Sequence, residues 1–70
     1  MQNSVSIGRI VQIIGAVVDV RFYGYIPMLY ERLNVKGNKK NIALEVESYL
    51  NNGIVRTLAF EGTEGLKRGM

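Results

Sequence analysis

The stretch Gly8-Arg9-Ile10-Val11-Gln12-Ile13-Ile14-Gly15-Ala16-Val17-Val18-Asp19-Val20-Arg21-Phe22 decides the fold. In its second half Ala16, Val18, Val20 and Phe22 project to one side, while Val17, Asp19, Arg21 and the following Tyr23 project to the other. That period of two marks a half-buried strand. The first half, Gly8 to Ile14, is apolar on both faces, as in a strand that is covered on each side or bends through a barrel corner. Gly15, lacking a Cβ, joins the two halves and leaves room for such a bend.

Outward from this pair the punctuation continues. Gly24 and Pro27 interrupt pairing, so residues 23–31 read as a loop, with one helical turn expected around residues 28–33 and a short strand over residues 33–36. Gly37-Asn38-Lys39-Lys40-Asn41 turns the chain, after which Ile42, Leu44 and Val46 alternate with Ala43, Glu45 and Glu47. The same segment also fits a helix, because Ile42, Val46, Tyr49 and Leu50 stand at i, i+4, i+7 and i+8. The Asn51-Asn52-Gly53 that follows favours the strand, since Asn-Gly supplies the positive φ angles of a tight hairpin turn. Residues 54–60 form the next strand, in which Ile54, Leu58 and Phe60 share a face that Arg56 breaks. Arg56 reads either as a side chain snorkelling at a rim or as a contact to a carboxylate on a neighbouring chain. Gly62-Thr63-Glu64-Gly65 is a further turn. Short strands at about ten-residue spacing, with no long helix, predict an all-β fold: a small antiparallel β-barrel over residues 7–70 behind an arm of residues 1–6.

Composition bounds the chemistry. Seventy residues make one domain, and at this size only about 60% of the unfolded surface is buried. Having no Cys and no His, the chain has neither disulfides nor the commonest metal ligands to reinforce that core, so a partner or more chain is the expected support. Thiol chemistry and His-dependent triads are excluded with them. Nine basic against six acidic residues leave a charge of +3, and Lys36, Lys39 and Lys40 gather in one glycine-containing loop that reads as a solvated turn rather than a phosphate patch. The apolar run over residues 10–20 is broken by Gln12 and Asp19 and reads as neither a signal peptide nor a membrane span. No Lys precedes Ser or Thr, so the phosphate-cradling G-x-x-x-x-G-K-[S/T] loop is missing. The pairs Glu45/Glu47 and Glu61/Glu64 read as exterior charge rather than as a catalytic or divalent-cation site. Tyr23, Tyr25, Tyr30 and Tyr49 do not form an alternating aromatic string for bases to stack on. Catalytic, cofactor-binding and metal residues are therefore all expected to be absent, as is nucleic acid. The alternative reading is a stand-alone RNA-binding barrel gripping phosphate with residues 11–20 and the basic loop.

The string from Gly8 to Phe22 resembles the opening of the catalytic beta subunit of the rotary F-type ATP synthase. The likeness continues through Leu33-Asn34-Val35, Ile42-Ala43-Leu44-Glu45-Val46, Ile54-Val55-Arg56-Thr57-Leu58-Ala59 and Gly62-Thr63-Glu64-Gly65-Leu66-Lys67-Arg68-Gly69, in order and spacing. It departs at the tyrosine-rich Tyr23-Gly24-Tyr25-Ile26-Pro27-Met28 and at Asn51, both in turns. The resemblance implies an N-terminal β-barrel whose copies pair side by side with those of alpha subunits in an alternating hexamer. The parent subunit, by the same resemblance, makes ATP from ADP and phosphate on a proton or sodium gradient. ATP, ADP and Mg would be held by a later domain and by no residue here. Gly8, Gly15, Asp19, Arg56, Gly62 and Gly65 match positions typical of the barrel. Asp19 with Arg21, or Arg56 with a carboxylate across an interface, are the candidate ion pairs between neighbours, against a reading in which each is an exterior charge exchanging with water. The expected place is a peripheral complex on the cytoplasmic face of a bacterial plasma membrane, or the organelle equivalent, without direct membrane insertion. A chain ending at Met70 is further expected to lack the barrel's last strand and to leave a sheet edge unpaired.

Overall fold

A computed structural model describes residues 7–36 and 42–70. They form five antiparallel strands, β1 Gly8–Ile14, β2 Val17–Phe22, β3 Arg32–Asn34, β4 Ala43–Tyr49 and β5 Ile54–Ala59, and no helix. The strands lie in one sheet in the order β1-β2-β5-β4-β3, curled into an open barrel as expected for an all-β chain that lacks a closing strand. The arm over residues 1–6 and the turn over residues 37–41, with Lys39 and Lys40, lie outside the described residues.

The curl has a readable origin. In β1 the register against β2 slips between Ile10 and Gln12, leaving Val11 as the extra residue of a bulge. Ile10 is buried inside the barrel, and Ile13, three residues on and opposite Val18, also packs against the core. A bulge turns a period of two into a step of three and bends the strand. This is why β1 reads as apolar on both faces. Gly15 sits in the β1–β2 turn with φ +57° rather than at the bend.

The core consists of Ile10, Val18, Val20, Phe22, Ile42, Leu44, Val46, Val55 and Ala59, flanked by Leu33, Val35, Leu66 and Met70. Thr57, also fully buried on this inner face, donates its hydroxyl to the Val18 carbonyl at 2.7 Å, which removes the cost of an unpaired polar atom. The alternation read for β4 and for residues 18–22 therefore holds, with Ala16 exposed in the turn. On β5 the buried face is Val55, Thr57 and Ala59, so the more conspicuous row of Ile54, Leu58 and Phe60 points outward, Leu58 and Phe60 being exposed.

Two local readings change. The helical turn expected around residues 28–33 is absent; Tyr30 there takes φ 67°, and the chain is pinned to β4 when Tyr30 donates to the Val46 carbonyl (2.7 Å) and Val46 donates to that of Glu31 (3.0 Å). Glu31 donates back to the Met28 carbonyl at 3.1 Å, but the left-handed Tyr30 makes this a single tight turn rather than a helical one, and the strand that follows, Arg32–Asn34, starts one residue earlier than read. By contrast the Asn-Gly signal works as chemistry predicts: Asn52 and Gly53 adopt φ 63° and 73°, and Leu50 donates to the Ile54 carbonyl across the turn at 2.7 Å.

Candidate functional site

Antiparallel register brings the outward side chains into rows across the sheet. Arg9, Arg21 and Ile54 form one row; Gln12, Asp19, Arg56 and Ser48 form the next; Ile14, Val17, Leu58, Glu45 and Arg32 form a third. The middle row holds the strongest polar contact. Arg56 donates from Nε to Asp19 Oδ1 and from Nη2 to Asp19 Oδ2, each at 3.0 Å, and Gln12 adds a bond from Nε2 to Oδ2 at 3.1 Å. Asp19 is only 3% exposed. This fork-on-carboxylate geometry spends the Asp19 acceptors on three donors. The Arg56 guanidinium is held more firmly protonated than usual, first by its hydrogen bond to Asp19 and then by that residue's charge, with burial acting weakly against both.

Arg56 and Asp19, candidates for ion pairs with other chains, each already have a partner within this one. They pair with each other, from strands far apart in sequence, and Asp19 is sealed from water rather than exchanging with it. Arg56 is the lone polar break in its row on β5, and Asp19 is the one acidic residue in the outward row of β2. That complementarity was the signal by which β2 and β5 could have been aligned.

Of the other candidate positions, Gly8 is packed closely: a Cβ there would stand 2.7 Å from Val20 Cγ1 and 2.8 Å from the Phe22 ring. Gly65 occupies a turn with φ 89°. A Cβ at Gly62 would meet open space, so the fold makes no steric demand for glycine there. Arg21 lies opposite Arg9, and its Nε is buried without an acceptor among the described residues. Glu45 and Glu47 sit on β4 beside a register slip between Val46 and Ser48. Their mutual hydrogen bond is the first cause that raises the Glu47 carboxyl above its ordinary 4.5, followed by burial and the Glu45 charge. The sequence reading missed the Arg32 guanidinium stacked 5.1 Å from the Phe60 ring centre, and no local pattern announces it because β3 and Phe60 meet only through β4.

The two ends of the sheet are the remaining feature. Between β1 and β3 runs a groove of about 550 Å³, walled by Gly8 and Ile10 on one side and Leu33 and Asn34 on the other, with Phe22 and Leu44 lining it. At its β1 side the Ile10 N–H donates to the Met70 carbonyl (2.6 Å) while Gly69 donates to the Ile10 carbonyl (2.7 Å). Gly69 has φ 94°. Two residues against one, with a left-handed glycine first, is the pattern of a G1 bulge, and it runs residues 69–70 antiparallel along the start of β1. Among the described residues no cluster of acidic groups could hold a metal ion. No helix there is long and apolar enough to cross a membrane.

Residues 10–70 match the model of the ATP synthase alpha/beta family, beta-barrel domain. The chain belongs to that family.

Proposed function

From membership of the ATP synthase alpha/beta family, we propose that the chain is the N-terminal β-barrel portion of a beta subunit and serves as an assembly module in an alternating alpha/beta hexamer. The observation that carries this reading is the match over residues 10–70, joined to the beta-type string from Gly8 to Phe22. The barrel supplies main-chain pairing and a partly apolar outer face. The making of ATP from ADP and phosphate, with Mg, falls to a later domain of the parent subunit, driven by a proton or sodium gradient. The complex sits peripherally on the cytoplasmic face of a bacterial plasma membrane or its organelle equivalent. The G1 bulge at Gly69 and Met70 supports a further strand along β1 that fills the groove toward β3 and closes the barrel.

The test is the native gene product. A polypeptide that continues past Met70 into G-x-x-x-x-G-K-[S/T] and co-purifies with alpha subunits is the expected result. A native product that ends at Met70 and associates with no such subunit would overturn the proposal.

A further inference from the structure

Among the described residues the outer face carries a pair of arginines that no carboxylate is shown to neutralise. Arg9 on β1 and Arg21 on β2 are direct antiparallel partners, a placement that brings Cβ atoms to about 5 Å and sets like charges against one another at a cost. Burial adds to the cost, since the Arg21 Nε is enclosed with no acceptor among the described residues. The carboxylates of this face are committed elsewhere: Asp19 to Arg56 and Gln12, and Glu47 to Glu45. Glu31 accepts from the Met28 amide at 2.9 Å. On the far side of Arg21 stands Ile54, an apolar neighbour that strengthens any ion pair formed beside it by excluding water.

We propose that Arg9 and Arg21 together receive a carboxylate side chain from the adjoining subunit of the ring; the inference rests on the assembly role argued above. Two guanidinium groups side by side can each give a carboxylate oxygen a charge-assisted bond through their terminal nitrogens, which offsets their mutual repulsion. A protein carboxylate suits the site better than a nucleic-acid phosphate. Ile54 stands beside the pair, and beyond the internally paired Asp19–Arg56 row the same face carries Ile14, Val17 and Leu58, the mixture of arginine and apolar side chains that marks protein interfaces. Of the aromatics on this face, the Phe60 ring is covered by Arg32, and Tyr23, 76% exposed just past β2, is a single ring rather than the row of rings on which successive bases stack.

Like-charge repulsion gives the test opposite signs in its two readouts. In the full-length subunit, Arg9→Gln with Arg21→Gln should raise the melting temperature of the unassembled protein, because repulsion and the orphaned donor both go. The same variant should weaken incorporation into the ring at least tenfold and flatten its salt dependence. An Arg21→Lys variant, assembled and treated with a carbodiimide, should give an amide between position 21 and an Asp or Glu of the adjoining subunit, located by mass spectrometry. If wild type assembles, the double variant assembles within twofold of it and no such cross-link forms, the inference is wrong while the assembly role stands. If wild type enters no ring at all, both fall. Loss of bound RNA, rather than of a neighbouring subunit, in the double variant would assign the pair to phosphate and also overturn the inference.

Discussion

Arg56 and Asp19 are not equally vulnerable to losing one another. The Arg56 side chain is 41% exposed and Asp19 4%, so an unpaired Arg56 can hydrate where it stands, whereas an unpaired Asp19 cannot. Asp19→Asn should therefore be the milder change, costing about 1 kcal/mol for weakened hydrogen bonds. Arg56→Met strands a buried carboxylate with Gln12 alone and should lower the denaturation midpoint further. Equal losses, or the reverse order, would show that the pair is solvated. Glu47 carries the complementary prediction. Its carboxyl titrates above the ordinary value in the folded chain, so the folded state holds that proton more tightly and is penalised once pH exceeds the folded value. Replacing Glu47 by Gln should accordingly raise the melting temperature at pH 7. The advantage should shrink as pH falls through the ordinary value of 4.5 and vanish at about pH 3, where the wild-type group is protonated in both states. A difference that stays constant over that range would mean that Glu45 and Glu47 do not share a proton.

At the scale of the strand and hairpin, Gly53 is the position with the least freedom. It holds φ 73°, its carbonyl accepts from the Phe22 amide at 2.9 Å, and an added Cβ would stand 2.7 Å from the Phe22 carbonyl oxygen. Gly53→Ala must strain the turn or push β2 away, at about 1–3 kcal/mol. Asn52→Ala, at φ 63° but without that close approach, should cost less. Amide exchange at Leu50, whose bond to Ile54 closes the hairpin, would report both. This turn was legible in advance because its chemistry is local: Asn-Gly asks for two positive φ angles whatever surrounds it. The alternation in β2 and β4 was legible for the same reason, each strand turning an apolar row inward and a row with charged residues outward. β1 resisted because the Val11 bulge changes the period within the strand. On β5 the outward Ile54 and Leu58, and Phe60 just beyond, are larger than the inward Val55, Thr57 and Ala59, so side-chain size alone does not say which face is buried. The Asp19–Arg56 contact, 37 positions apart, depends on which strands become neighbours, a property of the sheet as a whole.

For the whole molecule the decisive quantity is how little core stands behind two sheet edges. A chain of this length has roughly 4–10 kcal/mol of stability to lose, and Leu44→Ala, at a site 2% exposed, should remove about 2–5 kcal/mol of it. That one change should take away a large share of the stability of the isolated 70-residue chain and lower its denaturation midpoint accordingly. The edges act in the other direction. Among the described residues β1 is paired on its outer side only where Ile10 meets Gly69 and Met70, and β3 only with β4, so both present main-chain donors and acceptors beside the apolar groove. Unpaired edges next to apolar surface pair with whatever strand is available. In a solution containing only the isolated chain, that strand belongs to another copy. Sedimentation should then show concentration-dependent association, and the melting temperature should rise with concentration as mass action requires. Amide exchange at β1 should slow on association while that at β5, already paired on both sides, should not change. A sharp, reversible melt of a monomer, independent of concentration and at high temperature, would mean that the curled sheet seals its own edges.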